Sequence, residues 1–209
     1  MNKLTTLTSG ATFAQTQRFT LKLMEPKYKA DFIRTLSPIP WLANQEISET
    51  VHERSWAELN KKDNITFSIL DSATEAYIGY CQYKKIGTDR PDIGIELLPE
   101  YRGKGVGYEV CSVLIERFFA ETDESALYYQ VERQNTVSIA LAEKLGAKRC
   151  GTEHIYDQLL SAIYSMTPEE KAGLKNAEVL LNSLEKFKDE LTEEEYPTDI
   201  LIYKIERKV

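Results

Sequence analysis

Apolar residues along this chain fall into short alternating runs and three-to-four-spaced stripes, separated by strong turn signals. Phe19 to Met24 alternates as a first strand and stops before Pro26. Residues 27–36 then place Phe32, Ile33 and Leu36 on one helical side, and a second helix spans about 47–61 with Val51, Trp56 and Leu59 inward. Residues 65–70 and 77–83 are strand-like runs joined by a short polar turn, which predicts a hairpin. Pro91 precedes a fourth strand, Asp92 to Leu98.

The clearest local pattern follows. Pro99 to Lys104 is a polar turn, and Gly105 to Ala120 predicts a helix with Val110, Val113, Leu114, Phe118 and Phe119 on its apolar side. Residues 126–131 form a fifth strand, and a helix over 136–145 ends with Gly146 just past its C-terminus. A strand–helix–strand order needs a crossover, so the fourth and fifth strands are expected to be parallel. The fold class is α/β in the α+β sense: a mixed, mostly antiparallel sheet with helices on both faces.

The last fifty residues have another character. Thr167-Pro168-Glu169-Glu170 is a strong helix start, and Leu174, Ala177, Leu181, Leu184 and Leu191 continue one apolar stripe. Residues 167–195 hold nine acids and four bases, so they contribute −5 of the net −7. Thr198 to Ile205 reads as a closing strand. A single domain of 1–209 with a helical insertion at about 157–196 is therefore expected. The insertion could cover the core, form a lid over a substrate site, or make a homodimer contact.

Composition narrows the class. Hydrophobic residues at 42% and charged residues at 28% are an ordinary globular balance. The three cysteines, Cys81, Cys111 and Cys150, form no CxxC pair and are expected to be free thiols. No run approaches the ~18 apolar residues of a membrane span, and the N-terminus is too polar for a signal peptide. Cytoplasmic residence, with no membrane partner, is expected. The charge of −7 argues against a nucleic-acid partner and suits a cationic acceptor. His52 and His154 follow no metal spacing, so no metal is expected.

Chemistry concentrates in Arg102-Gly103-Lys104-Gly105-Val106-Gly107. Glycines at alternate positions between a strand and a helix let the backbone approach a ligand and turn consecutive N–H groups toward it. The helix that follows adds its positive end, so a diphosphate is the expected guest. A P-loop would need Ser or Thr after Lys104, where Gly105 stands, and the glycine spacing is not that of a dinucleotide-binding turn.

These residues resemble the GNAT acetyltransferases, especially the branch of the RimJ/RimL protein N-terminal acetyltransferases. The family's Gln/Arg-x-x-Gly-x-Gly/Ala signature is matched by Arg102, Gly105 and Gly107. Asp92-Ile93-Gly94, Pro99 to Gly105, Glu109, Asn135, Ser138 and Glu143-Lys144-Leu145-Gly146 are similar to further elements of the branch. The resemblance implies acetyl-CoA as cosubstrate and a splayed fourth and fifth strand. Backbone of Leu97 and Leu98 would pair with the pantetheine arm, and one of their amides would face the thioester oxygen. Amides from Arg102 or Gly103 through Tyr108, with Lys104 and Val106 between, would hold the diphosphate. Asn135 would bond the pantetheine side.

Transfer of acetyl to a primary amine also needs a base and a proton for the leaving thiolate. Asp92 and Glu96 share a strand face and are the candidate bases, Glu96 lying closer to the thioester end. Many relatives carry a tyrosine where this chain has Ala142, and the family's terminal phenylalanine is Ala147. Ser138 is the remaining candidate to protonate the thiolate, or only a coenzyme contact. The acceptor is expected between the first two helices and the sheet, where Trp41 to Glu49 carries Glu46 and Glu49. A coenzyme-A-binding module acting through protein interaction is the competing reading.

Overall fold

Alternating runs bounded by proline and polar turns become strands of one sheet. The computed structural model describes residues 8–36, 49–154, 164 and 199–208. The strands are β1 (Thr12–Gln15), β2 (Phe19–Leu23), β3 (Ile65–Asp71), β4 (Tyr77–Lys84), β5 (Asp92–Leu97), β6 (Ala126–Glu132), β7 (Lys148–Glu153) and β8 (Ile200–Glu206). They lie in the order β1-β2-β3-β4-β5-β6-β8-β7. The helices are α1 (Lys29–Thr35), α2 (Glu49–Leu59), α3 (Val106–Glu121) and α4 (Thr136–Lys144). Short 3-10 turns at Pro26–Tyr28 and Pro99–Tyr101 each begin with proline, which needs no N–H there. Among the described residues no helix is long and apolar enough to cross a membrane.

Strand pleating divides the core between the two sheet faces. One face carries Phe67, Ile69, Cys81, Tyr83, Ile93, Leu127, Tyr129 and Tyr203, packed under α3 through Val110, Leu114 and Phe118. The other carries Leu70 and Tyr80 against Phe32 of α1 and Leu59 of α2. Helices thus cover both faces, as the alternation predicts. Full burial of a side chain such as Phe118 or Leu114 is worth roughly 1.5–3 kcal/mol.

Two strands go beyond the sequence pattern. β1 is four residues long, and β7 presents no buried position to the core. β7 is an edge strand held by its ladder to β8, so its polar composition matches its place. The predicted insertion at 157–196 and its acidic helix lie outside the described residues, as do residues 41–48 with Glu46.

Every neighbouring pair is antiparallel except β5 and β6. β5 is paired with β4 along its whole length, from Lys84↔Asp92 to Gly79↔Leu97, and β6 with β8 from Ala126 to Glu132. Between β5 and β6 only Asp92↔Tyr128 is in register, with Tyr128 donating its N–H to the Pro91 carbonyl at 2.9 Å. Each strand is held by its outer neighbour while the inner edges part. The result is a V that opens toward the C-terminal ends of both strands.

Candidate active site

The V exposes main chain that an ordinary sheet would consume. Tyr128 bonds to Pro91, so the odd-numbered residues of β5 turn their backbone groups toward β6. Beyond Ile93, the N–H groups of Ile95 and Leu97 and the carbonyl of Ile95 therefore line the opening. The Leu97 carbonyl accepts from Arg102 Nε at 3.0 Å. Leu98 does not share this position. Its N–H is donated to Ile78 and its carbonyl accepts from Tyr101, both at 2.9 Å. The expectation that Leu98 offers free backbone there is corrected on that ground; the free N–H groups at the opening are those of Ile95 and Leu97.

At the wide end of the V, β5 runs through the Pro99–Tyr101 turn into the glycine segment. Gly103 and Gly105 have φ of 72° and 77°, left-handed values that glycine tolerates best. A methyl on Gly103 would meet nothing within 4 Å, and one on Gly105 would meet only Arg18 Nη2 at 3.7 Å. Conformation, not crowding, calls for glycine here, and the outer surface of the turn is left bare. Gly105 caps α3 without a side-chain hydrogen bond. Among the hydrogen bonds of the described residues, none is donated by the main chain of Gly103 to Tyr108 to a turn, loop or side-chain acceptor. A row of uncapped amides at a helix N-terminus is a ready anion site.

Gly107 serves packing as well. A Cβ there would lie 3.1 Å from Leu141 Cδ2, so glycine lets α4 come close to α3. Cations gather around the turn: Lys104 lies over the Tyr101 ring, and Lys144 of α4 lies 4.3 Å from the centre of the Tyr108 ring. Arg102 is drawn back along β5, with Nη2 at 3.9 Å from Glu96 Oε2.

Arg18, in the β1–β2 turn, was not legible as a site residue. Its Nε and Nη2 both reach Glu109 Oε2 at 2.7 Å, its N–H reaches Glu109 Oε1 at 3.2 Å, and Nη1 donates to the Lys104 carbonyl at 3.3 Å. The turn is thereby braced from a distant segment. Burial alone would raise the Glu109 carboxyl, but hydrogen bonds from Thr16 and Arg18 hold it below the ordinary carboxylate range.

The two candidate bases separate. Asp92 is fully buried at the closed end of the V, with Lys84 Nζ at 2.8 Å from Oδ1 and Lys85 Nζ at 3.7 Å from Oδ2. The pairing is ionic, since neither oxygen has an aligned hydrogen-bond partner. This is a fixed structural pair, and the candidate role of Asp92 as a base is corrected accordingly. Glu96 lies toward the open end with 51% of its side chain exposed along the cleft. Protein crowding still raises its carboxyl above the ordinary value. Arg102 and Lys84 pull it down, and Glu132 on β6 pushes it up.

Across the opening, Asn135 caps α4, its Oδ1 accepting the Ser138 N–H at 3.0 Å. Its side-chain amide keeps its donors. Ser138 is half-buried on α4. Ala142, one turn on, is fully buried. His154 Nδ1 lies 2.8 Å from Asp199, a satisfied polar position. Cys81 and Cys111 are buried free thiols and Cys150 is an exposed one.

Comparison with known proteins bears on the same region. Residues 18–148 match the model of the "Acetyltransferase (GNAT) domain" family. The chain is 29% identical over 114 residues to an uncharacterized N-acetyltransferase, p20, of Bacillus licheniformis; the match covers 51% of this chain and 64% of that protein. Its fold is similar to a GNAT-family acetyltransferase from Bacillus anthracis (TM-score 0.60, 16% identity, 92% of this chain and 96% of that one). It is also similar to spermidine N-acetyltransferase from Vibrio cholerae, solved with CoA and spermine (TM-score 0.59, 16% identity, 91% and 96%).

Proposed function

Because the chain belongs to the GNAT acetyltransferase family, we propose that it moves the acetyl group of acetyl-CoA directly to a primary amine. The observation that carries this reading is uncommitted main chain on both sides of the Pro99–Tyr101 turn. It comprises the N–H groups of Ile95 and Leu97 in the V and the bare amides of Gly103 through Tyr108. A pantetheine arm lying in the V as an added strand would bond β5 backbone, and the diphosphate would cap α3. Lys104 and Lys144 supply nearby positive charge, and Arg102 closes the Leu97 carbonyl while steadying Glu96.

The sheet has two working faces. Asn135 and Ser138 lie on the α3–α4 side with the coenzyme turn. Glu96 lies on the α1–α2 side, opposite Tyr80 in the β4–β5 ladder. Two substrates can therefore meet through the V from opposite sides, which supplies proximity and alignment. The Leu97 N–H faces the position of a thioester oxygen and would stabilise its developing charge. Glu96, with its raised carboxyl, takes the ammonium proton, directly or through water.

Charge favours a cationic acceptor. The Glu96 carboxyl feels the charge of Glu132 across the opening, and an ammonium between them would relieve that repulsion. A protein N-terminus and a small polyamine both fit this chemistry. The test is thiol release from acetyl-CoA over a panel of amines, with mass spectrometry of the acceptors. Amine-dependent CoA release supports the reading. Tight acetyl-CoA binding with no release on any amine would favour a coenzyme-A-binding module instead.

A further inference from the structure

β4 approaches β5 most closely at a point just behind the open edge of the V. Gly79 is buried in β4 and stands opposite Leu97 in the ladder. A Cβ on Gly79 would overlap the Glu96 carbonyl oxygen. It would also lie 2.9 Å from Leu97 Cα and 3.1 Å from the Glu96 carbonyl carbon. All of these are main-chain atoms, which cannot swing aside as the end of a flexible side chain can. Any residue but glycine at this position would therefore push β5 away from β4. Gly151, in the edge strand β7, lacks such a contact, since its Cβ would meet only the Ile202 side chain at 3.5 Å.

The atoms crowded by that Cβ belong to one peptide unit, Glu96–Leu97. A peptide unit is planar, so its N–H points away from its carbonyl. Here the carbonyl faces Gly79 on β4, and the Leu97 N–H faces the V. The next N–H, from Leu98, turns back to the carbonyl of Ile78 at 2.9 Å. Ile78 and Gly79 together thus fix where β5 stops offering its amides to the opening.

We infer that Gly79 is a positioning residue for the reaction: its missing side chain lets the Glu96–Leu97 peptide plane lie against β4 with the Leu97 N–H aimed at the thioester oxygen. This rests on the proposed acetyl transfer and adds a residue to it. A Cβ at position 79 would press on the carbonyl end of the plane, and the rigid unit would pass the tilt to the N–H end. Hydrogen bonds weaken steeply as they bend, so a rotation of the plane is felt in the rate. Glu96 is carried by the same unit, so donor and base would be displaced together. Gly79 itself lies on the far side of β5 from the V and acts through backbone alone.

The test reads the thioester carbonyl. Acetyl-CoA isotope-labelled at its acetyl carbonyl is bound to wild type, Gly79→Ala and Gly151→Ala, and the carbonyl band is recorded by infrared spectroscopy. A hydrogen bond from Leu97 lowers that band. Wild type and Gly151→Ala should show the same downshift from free acetyl-CoA, and Gly79→Ala should lose most of it. Acetyl-CoA affinity by calorimetry should fall no more than about fivefold, the worth of one neutral hydrogen bond. On an acceptor found by the amine panel, kcat of Gly79→Ala should fall about 100-fold, as loss of one oxyanion donor does, with the acetyl-CoA KM changed no more than the affinity. A glycine needed only for packing would lower Tm and leave the band in place. Equal bands in wild type and Gly79→Ala would overturn the assignment and leave acetyl transfer standing. So would a wild-type Leu97 amide resonance that stays put between bound CoA and bound acetyl-CoA, a measurement that needs no variant to fold. Failure of wild type to bind acetyl-CoA would overturn both.

Discussion

Gly105→Ala separates backbone strain from ligand binding. The left-handed φ of 77° costs a residue with a Cβ roughly 1–2 kcal/mol. A narrower unfolded ensemble returns about 0.4–1 kcal/mol of that. The net loss is about 1 kcal/mol, which for a chain of this size lowers Tm by roughly 2–4 °C. The new methyl meets no main chain within 4 Å, so the native turn persists. It lies 3.7 Å from Arg18 Nη2, against the side chain that braces the turn whose amides a diphosphate would approach. Misaligning one charge-assisted hydrogen bond costs about 1.5–3 kcal/mol, so acetyl-CoA affinity by calorimetry should fall about 10–100-fold. Gly87→Ala is the control: its φ is 85°, nothing lies within 4 Å of its Cβ, and it sits in the β4–β5 loop at the other end of β5. It should show the same Tm loss with unchanged affinity. Equal affinity for Gly105→Ala and wild type would refute the turn as the diphosphate site, as would equal loss in both variants.

Glu96→Gln should lower kcat about 100-fold with acetyl-CoA affinity unchanged, and should remove the acidic limb of the pH–rate profile. In wild type that limb should lie above the ordinary carboxylate value of 4.5, since activity rises as the raised Glu96 carboxyl loses its proton. The same shift means that Glu96 favours the folded state at low pH and loses this contribution as pH rises through its folded value. Glu96→Gln should therefore raise Tm slightly at neutral pH. Arg18→Ala should weaken acetyl-CoA binding several-fold by unbracing the turn. Because Glu109 is held below its ordinary value, the brace is fully present above that value and is lost as pH falls. Binding in wild type, but not in Arg18→Ala, should thus drop on acidification below about 4.5. Asp92→Asn should lower Tm by breaking the pairs with Lys84 and Lys85, at a cost of ~1–3 kcal/mol. Below the transition, kcat/KM should stay within a few-fold, a result that a base role for Asp92 would not give.

What could be read in the sequence was whatever local pattern determines. β5 was bracketed by Pro91 and Pro99, and α3 was marked by the stripe through Val110, Leu114 and Phe118. The glycine turn was visible because left-handed positions need glycine wherever they occur. Features set by a distant partner were hidden. β7 reads as polar surface and becomes a strand only because β8 offers it a ladder. The direction of the Leu98 N–H depends on the register against Ile78 of β4, not on any property of leucine. Arg18 reaches Glu109 across 91 positions of chain. Asp92 and Glu96 share one strand face, with Glu96 expected nearer the thioester end, but the burial of Asp92 at the closed end follows only from the single point of β5–β6 register.

The place of β8 between β6 and β7 bears on how the molecule is made. Until residues 200–206 have left the ribosome, β6 has no outer partner and β7 no partner at all among the strands described. Glycine turn, α3 and the β4–β5 arm can assemble earlier, but the opposite wall of the V waits for the final ladder. During that interval two raw edges are open to pairing with other nascent chains. A nonsense change just before Ile200 would therefore remove the opposite wall of the V without touching one residue of the glycine turn.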